Sequence, residues 1–269
     1  MADILITGAA GRVSTQLRPY LRRRYGALRL TDIVAVADLA VGESFVEAAF
    51  ADTAGLDRAF RGVRCLVHLG GHSTEAPWER ILRDNVEGAY AVFEAARRAG
   101  VERVVFASTG HAQGFHPRAR RLGPDAPVRP DGRYGVSKAF GEALASLYAD
   151  KHGLRCLTIR IGNVNARPRD RRTLSNWVHP EDLAQLVAIG LEHPDIHNQI
   201  VYGISENHRS WWDNAAAERL GYRPRHASED HAAEALAARR RPDPVADTFQ
   251  GGSICSVEFD GDMERSRWA

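Results

Sequence analysis

The chain has 269 residues, of which 44% are hydrophobic and 26% are charged, and its formal net charge is +2. These values fit a single globular domain over residues 1–269 and exclude the strong basic field of a nucleic-acid-binding protein. The three cysteines, Cys65, Cys156 and Cys255, are too dispersed for a disulfide framework or a zinc knuckle. No run of about eighteen apolar residues occurs, so we expect a soluble, cytoplasmic protein without a membrane partner. Because the cysteines are dispersed, we also expect no metal site.

The first strand, predicted at residues 4–6, leads into a glycine-rich turn and then into apolar residues at helical spacing. Glycines at such a turn let the backbone approach a pyrophosphate, and the N–H groups at the helix start hold its charge. An ordinary turn between a strand and a helix is the alternative interpretation. If the turn binds a dinucleotide, the contacts come from Gly8, Gly11, Arg12 and Val13.

The second strand, predicted at residues 28–31, ends in Asp32, about twenty residues beyond the glycines, where an acid binds the adenosine ribose hydroxyls. A carboxylate there repels a 2′-phosphate, so the sequence favours NAD over NADP as the cofactor. A third strand is predicted at residues 45–49. It is followed by Asp52, which either contacts the adenine edge or caps the helix predicted at residues 53–61.

A fourth strand, at residues 65–69, stops at two glycines and offers a second place where backbone passes close to a cofactor. His68 inside this strand is more typical of a core histidine than of a ligand. A helix that contains Asn85 follows. Further candidate cofactor contacts are therefore Leu69, Gly70, Gly71 and Asn85.

A tyrosine and a lysine, Tyr134 and Lys138, stand four positions apart and so share one helix face. A tyrosine has an ordinary pKa of about 10, and a nearby cation lowers that pKa, so Tyr134 can take a proton from a substrate hydroxyl. Ser108 and Thr109 end the fifth strand, and ligands of open parallel sheets bind at the carboxyl ends of the strands. The sequence thus predicts a catalytic Ser/Thr, Tyr and Lys set.

The remaining elements complete the prediction of an α/β fold. Apolar Phe140, Leu144, Leu147 and Tyr148 predict a long buried helix after Tyr134. We predict a doubly wound, Rossmann-type parallel sheet, with a dinucleotide-binding core up to about residue 162 and a small C-terminal substrate-capping portion that also holds the last sheet elements. The other predicted segments are a proline-rich loop at 111–133, strands at 157–161 and 200–203, helices at 180–191 and 211–220, and a charged, alanine-rich tail from 229.

These residues resemble the short-chain dehydrogenase/reductase superfamily, in its sugar-modifying, epimerase-like branch. Within that branch they are similar to the bacterial NAD-dependent uronate dehydrogenases, over nearly the whole chain. The likeness rests on Leu-Thr-Asp-Ile at 30–33, His-Leu-Gly-Gly at 68–71, Ala-Ser at 107–108 with His111, Arg-Pro-Asp-Gly at 129–132, Tyr-Gly-Val-Ser-Lys at 134–138, Ile-Arg-Ile-Gly at 159–162, Asp-Arg-Arg at 170–172 and Ser-Trp-Trp-Asp-Asn at 210–214.

The resemblance implies oxidation of C1 of glucuronate or galacturonate by NAD to an aldarolactone, with a small sugar acid as the substrate. It makes Tyr134 the base, and Lys138 orients the nicotinamide ribose and lowers the tyrosine pKa. It also implies self-association into a homo-oligomer. Asn163 is a candidate cofactor contact as well, and the implied substrate contacts are Ser73, Thr109, Gly110, His111, Tyr134, Asn163 and Arg172.

Two departures from that pattern bear on the substrate. Gly110 stands where the resembling enzymes have an asparagine, and Asn163 stands where they have a serine. Two other functions stay open at this level: a nucleotide-sugar epimerase or dehydratase of the same fold, and a non-catalytic dinucleotide sensor. A dehydratase usually has an Asp-Glu pair after Thr109, where this chain has Gly110 and His111, and a sensor has no need of the Tyr and Lys pair.

Overall fold

The structure, a computed structural model, describes residues 3–238 and 241–268. Its centre is a seven-stranded parallel sheet with the strand order β3-β2-β1-β4-β5-β6-β9, and β7 pairs with β8 separately. The strands are β1 (Ile4–Thr7), β2 (Leu28–Asp32), β3 (Glu43–Glu47), β4 (Cys65–His68), β5 (Arg103–Thr109), β6 (Arg155–Ile161), β7 (Asn163–Val164), β8 (Trp177–Val178) and β9 (Asn198–Gly203).

Helices cover both faces of the sheet. A π-helical turn, Leu82–Glu87, joins the third and fourth helices, and 3-10 turns occur at Gly110–Gln113 and Ser228–His231. The α-helices are α1 (Arg12–Tyr25), α2 (Thr53–Phe60), α3 (Trp78–Ile81), α4 (Gly88–Ala99), α5 (Arg133–His152), α6 (Thr173–Asn176), α7 (Pro180–Glu192), α8 (Ala215–Arg219), α9 (Ala232–Ala237), α10 (Pro244–Thr248), α11 (Ser253–Ser256) and α12 (Met263–Trp268).

The side chains of each strand alternate between two hydrophobic cores. In β1, Ile4 and Ile6 pack on the side of α1 and α7, whereas Leu5 packs on the side of α2, α4 and α5. Strands that are buried on both faces read as continuous apolar runs, which is why the sequence revealed them. The prediction of a doubly wound parallel sheet is confirmed.

Successive strands are added to one side of β1 up to β3 and to its other side from β4 onward, so β1 has β2 on one side and β4 on the other. At this switch point the two strand ends come very close, because a Cβ atom on Gly8 would lie 2.7 Å from the Cα atom of Gly70. Gly8 also has a φ of 69°, a backbone conformation that glycine adopts without strain. A crevice therefore opens beyond the carboxyl ends of β1 and β4.

Four predicted elements differ in extent from the structure. Strands β3, β6 and β9 each begin two residues before their predicted starts, since β3 pairs with β2 from Glu43 onward and β9 pairs with β6 from Asn198 onward. The predicted helix at 211–220 shrinks to α8, because the chain at Trp211 is extended beside Leu122. Leu122 N donates to Trp211 O at 2.9 Å, and Asp213 N donates to Leu122 O at 2.7 Å.

Helix α5 is buried on one face only. Leu144 and Tyr148 are 6% and 2% exposed, but Phe140 and Leu147 are 37% and 50% exposed. The prediction of a long buried helix is therefore confirmed for one face only, because the sheet and α4 cover a single side and the second apolar side has no covering element among the described residues. No helix in the described part of the chain is long and apolar enough to cross a membrane.

Candidate active site

A cavity of about 960 Å³ lies at the carboxyl ends of the central strands, a volume at the upper end of the range for small-molecule sites. The structure brings most of the predicted site residues together in its walls. These are Gly8, Gly11, Arg12, Val13, Asp32, Leu69, Gly70, Gly71, Ser73, Ser108, Thr109, His111, Tyr134, Lys138 and Asn163.

The half of the cleft at the glycine turn fits a dinucleotide. Helix α1 starts at Gly11 without a side-chain cap among the described residues and without an acid in its first turn, so its amide groups are available to a diphosphate. Asp32 lies at the rim and is fixed there, since its two carboxylate oxygens accept from Ala10 N at 3.0 Å and Val34 N at 3.1 Å. Its contact with the ribose remains a prediction.

Two predicted cofactor residues have other contacts in this structure. Asp52 caps α2 by accepting from Gly55 N at 2.9 Å, and the cleft is lined by its neighbours Ala51 and Thr53. Asn85 accepts from His72 N at 2.6 Å and donates to His72 O at 3.0 Å. Its amide therefore positions the loop that follows β4, and neither residue belongs to the described walls of the cleft.

The tyrosine and lysine of α5 meet the end of β5 inside the cleft. Tyr134 and Thr109 both line the cleft, and the Thr109 hydroxyl is near enough to the Tyr134 phenol to act on its pKa. Lys138 Nζ donates to Ala107 O at 2.9 Å and lies 5.9 Å from the centre of the Tyr134 ring. The arrangement places an acid/base group, a hydrogen-bonding hydroxyl and a cation around one space.

Burial dominates the acid/base properties of this pair. It raises the pKa of Tyr134 to about 12, which the neighbouring Thr109 hydroxyl opposes, and it lowers the pKa of Lys138 to about 8. The expected lowering of the tyrosine pKa by lysine is therefore absent from the structure, because removing both groups from water penalises both charged forms. A positive charge brought into the cleft would favour the phenolate.

Ser108 differs from its neighbour, and here the sequence prediction is corrected. Its hydroxyl donates to Glu142 Oε1 at 2.6 Å. Glu142 in turn forms a buried ion pair with Arg160, whose Nε and Nη2 atoms donate to it at 2.8 Å each. Ser108 therefore stabilises this buried pair beneath the cleft, and Thr109 is the hydroxyl that contacts Tyr134.

The departure at Gly110 has a structural cause. A Cβ atom on Gly110 would lie 2.4 Å from ring atoms of Trp212. That ring is held in place, because it stacks on Tyr202 with centroids 4.9 Å apart and donates from Nε1 to Gln250 Oε1 at 2.9 Å. Gly110 therefore contributes close packing against an indole rather than a side chain in the cleft.

Arg172 lies next to the cleft but outside its described walls. Its Nε and Nη2 atoms donate to Gln250 O at 3.2 and 2.9 Å, and the charge of Asp131 acts on it and opposes the lowering of the Arg172 pKa by burial. Sequence reasoning missed Gln250 and the side chain of Asp131. The one available signal was the Arg-Pro-Asp-Gly motif at 129–132, to which it gave no role.

Comparisons with known proteins agree with this site. Residues 4–176 match the model of the NAD dependent epimerase/dehydratase family. The chain is 41% identical to a uronate dehydrogenase of Pseudomonas putida over 256 residues, which cover 93% of this chain and 94% of the relative.

Two solved structures are similar over nearly their whole length. One is a glucuronic acid dehydrogenase from Chromohalobacter salexigens, 39% identical with a TM-score of 0.90, covering 95% of this chain and 97% of that one. The other is a uronate dehydrogenase from Agrobacterium tumefaciens in complex with NAD, 38% identical with the same TM-score and the same coverage.

These comparisons confirm the resemblance, the predicted NAD cofactor and the predicted class of NAD-dependent dehydrogenase. The relatives described above are named as dehydrogenases, whereas the family model covers residues 4–176. The chain belongs to the NAD dependent epimerase/dehydratase family, in the group that contains the uronate dehydrogenases.

Proposed function

We propose that the protein oxidises C1 of a hexuronic acid, glucuronate or galacturonate, with NAD and releases an aldarolactone. The observation that carries this proposal is that Tyr134, Lys138 and Thr109 line one cleft, with the Thr109 hydroxyl acting on the Tyr134 phenol, in a chain similar along its length to uronate dehydrogenases. The alternative of a dehydratase lacks support, since Gly110 and His111 follow Thr109 where an acid pair would be needed.

In this reaction the C1–H bond breaks and its electron pair leaves as hydride, while C1–O1 becomes the carbonyl of the lactone. Bound NAD supplies the acceptor for the hydride. Tyr134 Oη takes the proton of the O1 hydroxyl, and the Thr109 hydroxyl holds the phenol in position and stabilises its oxygen as the proton moves.

Lys138 supports this proton transfer through its charge and its fixed position. The hydrogen bond to Ala107 O holds its ammonium group against the end of β5. With the pKa of Lys138 near 8, most of these groups carry a positive charge at neutral pH, although this charge does not offset the burial that raises the pKa of Tyr134 in this structure. Because phenolate must form, we expect the oxidation rate to increase with pH.

The carboxylate of the substrate is assigned to Arg172. A guanidinium can hold a carboxylate through two parallel hydrogen bonds. The Gln250 carbonyl fixes the Nε and Nη2 atoms of this side chain, whereas Nη1 has no hydrogen bond among the described residues. Arg172 can therefore offer its Nη1 side to a ligand without losing its support.

A substrate panel tests the function directly. Uronic acids, neutral hexoses and nucleotide sugars are incubated with NAD or NADP, and the reduced cofactor is followed by absorbance. We expect net reduction of NAD with free uronic acids and little reduction with glucose. Equal rates with glucose and glucuronate would contradict the proposal, and conversion of a nucleotide sugar without net reduction would indicate an epimerase.

Replacement of Arg172 tests the assignment of the carboxylate. Hydrogen bonds to charged groups contribute about 1.5–3 kcal/mol each, and about 1.4 kcal/mol corresponds to a factor of ten. We therefore expect Arg172→Ala to lower kcat/KM for glucuronate about a hundredfold, and Arg172→Lys to recover only part of it. The control is Arg167→Ala, since that side chain is 68% exposed. An equal loss for glucuronate and a neutral hexose would refute this role.

We also propose that the exposed face of α5 binds a second copy of the chain. Val136, Phe140 and Leu147 are 46%, 37% and 50% exposed, and their spacing places them on one side of the helix. Tyr90 of the neighbouring α4 is 54% exposed. Such a stripe of apolar side chains on paired helices is suited to a symmetric interface, as the resemblance implies.

A further inference from the structure

The carboxylate of Asp131 occupies a closed slot behind the sugar end of the cleft. The side chain is 0% exposed. A Cβ atom on Gly114 or on Gly251 would lie 1.9 or 1.7 Å from Asp131 Oδ2, so no other residue type fits at either position while the carboxylate stays there. Gly251 N donates to Gly114 O at 2.9 Å and closes the slot. The fold thus reserves this space for a carboxylate.

The main partner of this carboxylate is the imidazole of His111. Asp131 Oδ2 lies 2.6 Å from His111 Nδ1, and Cys255 Sγ is a weaker second partner at 3.8 Å. Asp131 Oδ1 is buried and has no hydrogen-bond partner in the described chain. An ionised carboxylate accepts hydrogen bonds and cannot donate them. If Asp131 is ionised, the proton shared by this pair lies on His111 Nδ1.

The other ring nitrogen of His111, Nε2, is available to a ligand in the cleft. The His111 side chain is 24% exposed, lines the cavity and lies edge to face with the Tyr134 ring at a centroid distance of 6.1 Å. In a neutral imidazole with its proton on Nδ1, Nε2 is an acceptor. Ring hydroxyls of a sugar are the donors that suit an acceptor beside the catalytic tyrosine.

We propose that Asp131 is a positioning residue that fixes the tautomer of His111, so that Nε2 faces the cleft as an acceptor for a hydroxyl of the bound sugar. The proposal deepens the proposed function, because it names how the sugar is oriented at Tyr134. The hydroxyl donates to Nε2, and no covalent bond changes at His111.

The neighbours of the slot favour a carboxylate over an amide. In Asp131→Asn, the side-chain NH₂ group can replace either carboxylate oxygen, Oδ2 or Oδ1. At the Oδ2 position it donates to His111 Nδ1 and moves the ring proton to Nε2, which turns the acceptor in the cleft into a donor. At the Oδ1 position it is buried without an acceptor, which is unfavourable. The amide also removes the negative charge that acts on Arg172.

Nuclear magnetic resonance of the intact chain with ¹⁵N-labelled histidine tests the tautomer without any sugar. The His111 signals are identified by their loss in His111→Gln, at about pH 8, where an ordinary imidazole is neutral. We expect the parent to show a protonated Nδ1 and an unprotonated Nε2. In Asp131→Asn this pattern should reverse or average, whereas Cys255→Ala, which removes the weaker partner of the same oxygen, should leave it unchanged.

Kinetics then connect the tautomer to the sugar. Loss of one hydrogen bond of about 1.5 kcal/mol corresponds to about a tenfold fall in kcat/KM, so Asp131→Asn should show this fall for the sugar with an unchanged Kd for NAD. A proton on Nε2 in the parent, alone or with one on Nδ1, overturns the proposal even if the variant does not fold. An unchanged spectrum and unchanged kinetics in Asp131→Asn also overturn it. A correct tautomer in a protein that oxidises no uronic acid refutes the proposed substrate alone.

Discussion

Ser108 and Thr109 carry the same functional group on adjacent residues of β5, and the strand directs them to opposite surroundings. The Ser108 hydroxyl donates to Glu142 in the buried ion pair, whereas the Thr109 hydroxyl acts on the pKa of the Tyr134 phenol. The sequence pattern made both Ser108 and Thr109 candidate catalytic hydroxyls. These surroundings favour Thr109 over Ser108 as the hydroxyl that acts beside Tyr134.

The role of Tyr134 as the base is tested by removing its hydroxyl. Tyr134→Phe keeps the ring in place, so we expect unchanged NAD affinity and a fall in kcat of about 10² to 10⁴, the usual contribution of a positioned acid/base group. The control Tyr90→Phe removes a hydroxyl from a tyrosine that is 54% exposed and should leave kcat unchanged. Turnover of Tyr134→Phe within about tenfold of the parent would exclude this tyrosine as the base.

At the scale of elements, His68 links β4 to β1 and to the aromatic core. It is 2% exposed, its Nδ1 atom lies 2.7 Å from Thr7 Oγ1, and the Phe50 and Phe106 rings lie 5.7 Å away. Burial, with a smaller contribution from Lys138, lowers its pKa from 6.5 to about 3. The histidine is thus a neutral part of the core, as the sequence pattern favoured.

This lowered pKa makes β4 sensitive to acid. Below pH 6.5 the unfolded chain binds a proton at His68 that the folded chain does not bind until about pH 3. The contribution of neutral His68 to the free energy of unfolding is therefore complete above pH 6.5 and decreases as the pH falls toward 3. The expected loss is about 1.4 kcal/mol per pH unit. Urea unfolding at several pH values measures it. His68→Gln should remove this part of the slope, and the exposed His197→Gln should not; equal slopes for all three would contradict the assignment.

The end of β5 and the segment at Trp212 constrain each other. Since a Cβ atom on Gly110 would lie 2.4 Å from the indole, we expect Gly110→Ala to destabilise the protein by about 1–3 kcal/mol through overpacking. The matched control is Gly123→Ala, where an added Cβ meets nothing within 4 Å. Thermal unfolding measures both changes. Trp212→Leu should reduce the effect of Gly110→Ala in a double-mutant cycle, and an additive result would show that the ring is not the obstacle.

At the scale of the whole molecule, the apolar stripe on α5 predicts the oligomeric state. Phe140→Glu and Leu147→Glu place charges in the proposed interface, so each should convert an oligomer of the parent into a monomer in sedimentation experiments. The control Val41→Glu changes an apolar residue that is 93% exposed outside the stripe. A monomeric parent, or a stripe variant that still associates like the parent, would contradict the interface.

The sequence by itself determined the features whose physical causes are local. The glycine turn, the acid at the end of β2 and the apolar runs of the buried strands depend on backbone freedom and on side-chain periodicity. The spacing of Tyr134 and Lys138 on one helix likewise follows from helix geometry. For this reason the parallel sheet, the cofactor cleft and its main wall residues could be predicted before any tertiary contact was known.

Only the tertiary structure decided which polar groups meet. His111 and Asp131 are 20 residues apart, Trp212 and Gln250 are 38 apart, and Arg172 and Gln250 are 78 apart. No periodicity connects such pairs, since each depends on how loops from distant elements pack together over the cleft. The same packing left one apolar face of α5 exposed, paired the Ser108 hydroxyl with Glu142 and required a glycine at 110, because the partners and the space available to a side chain are properties of the folded chain.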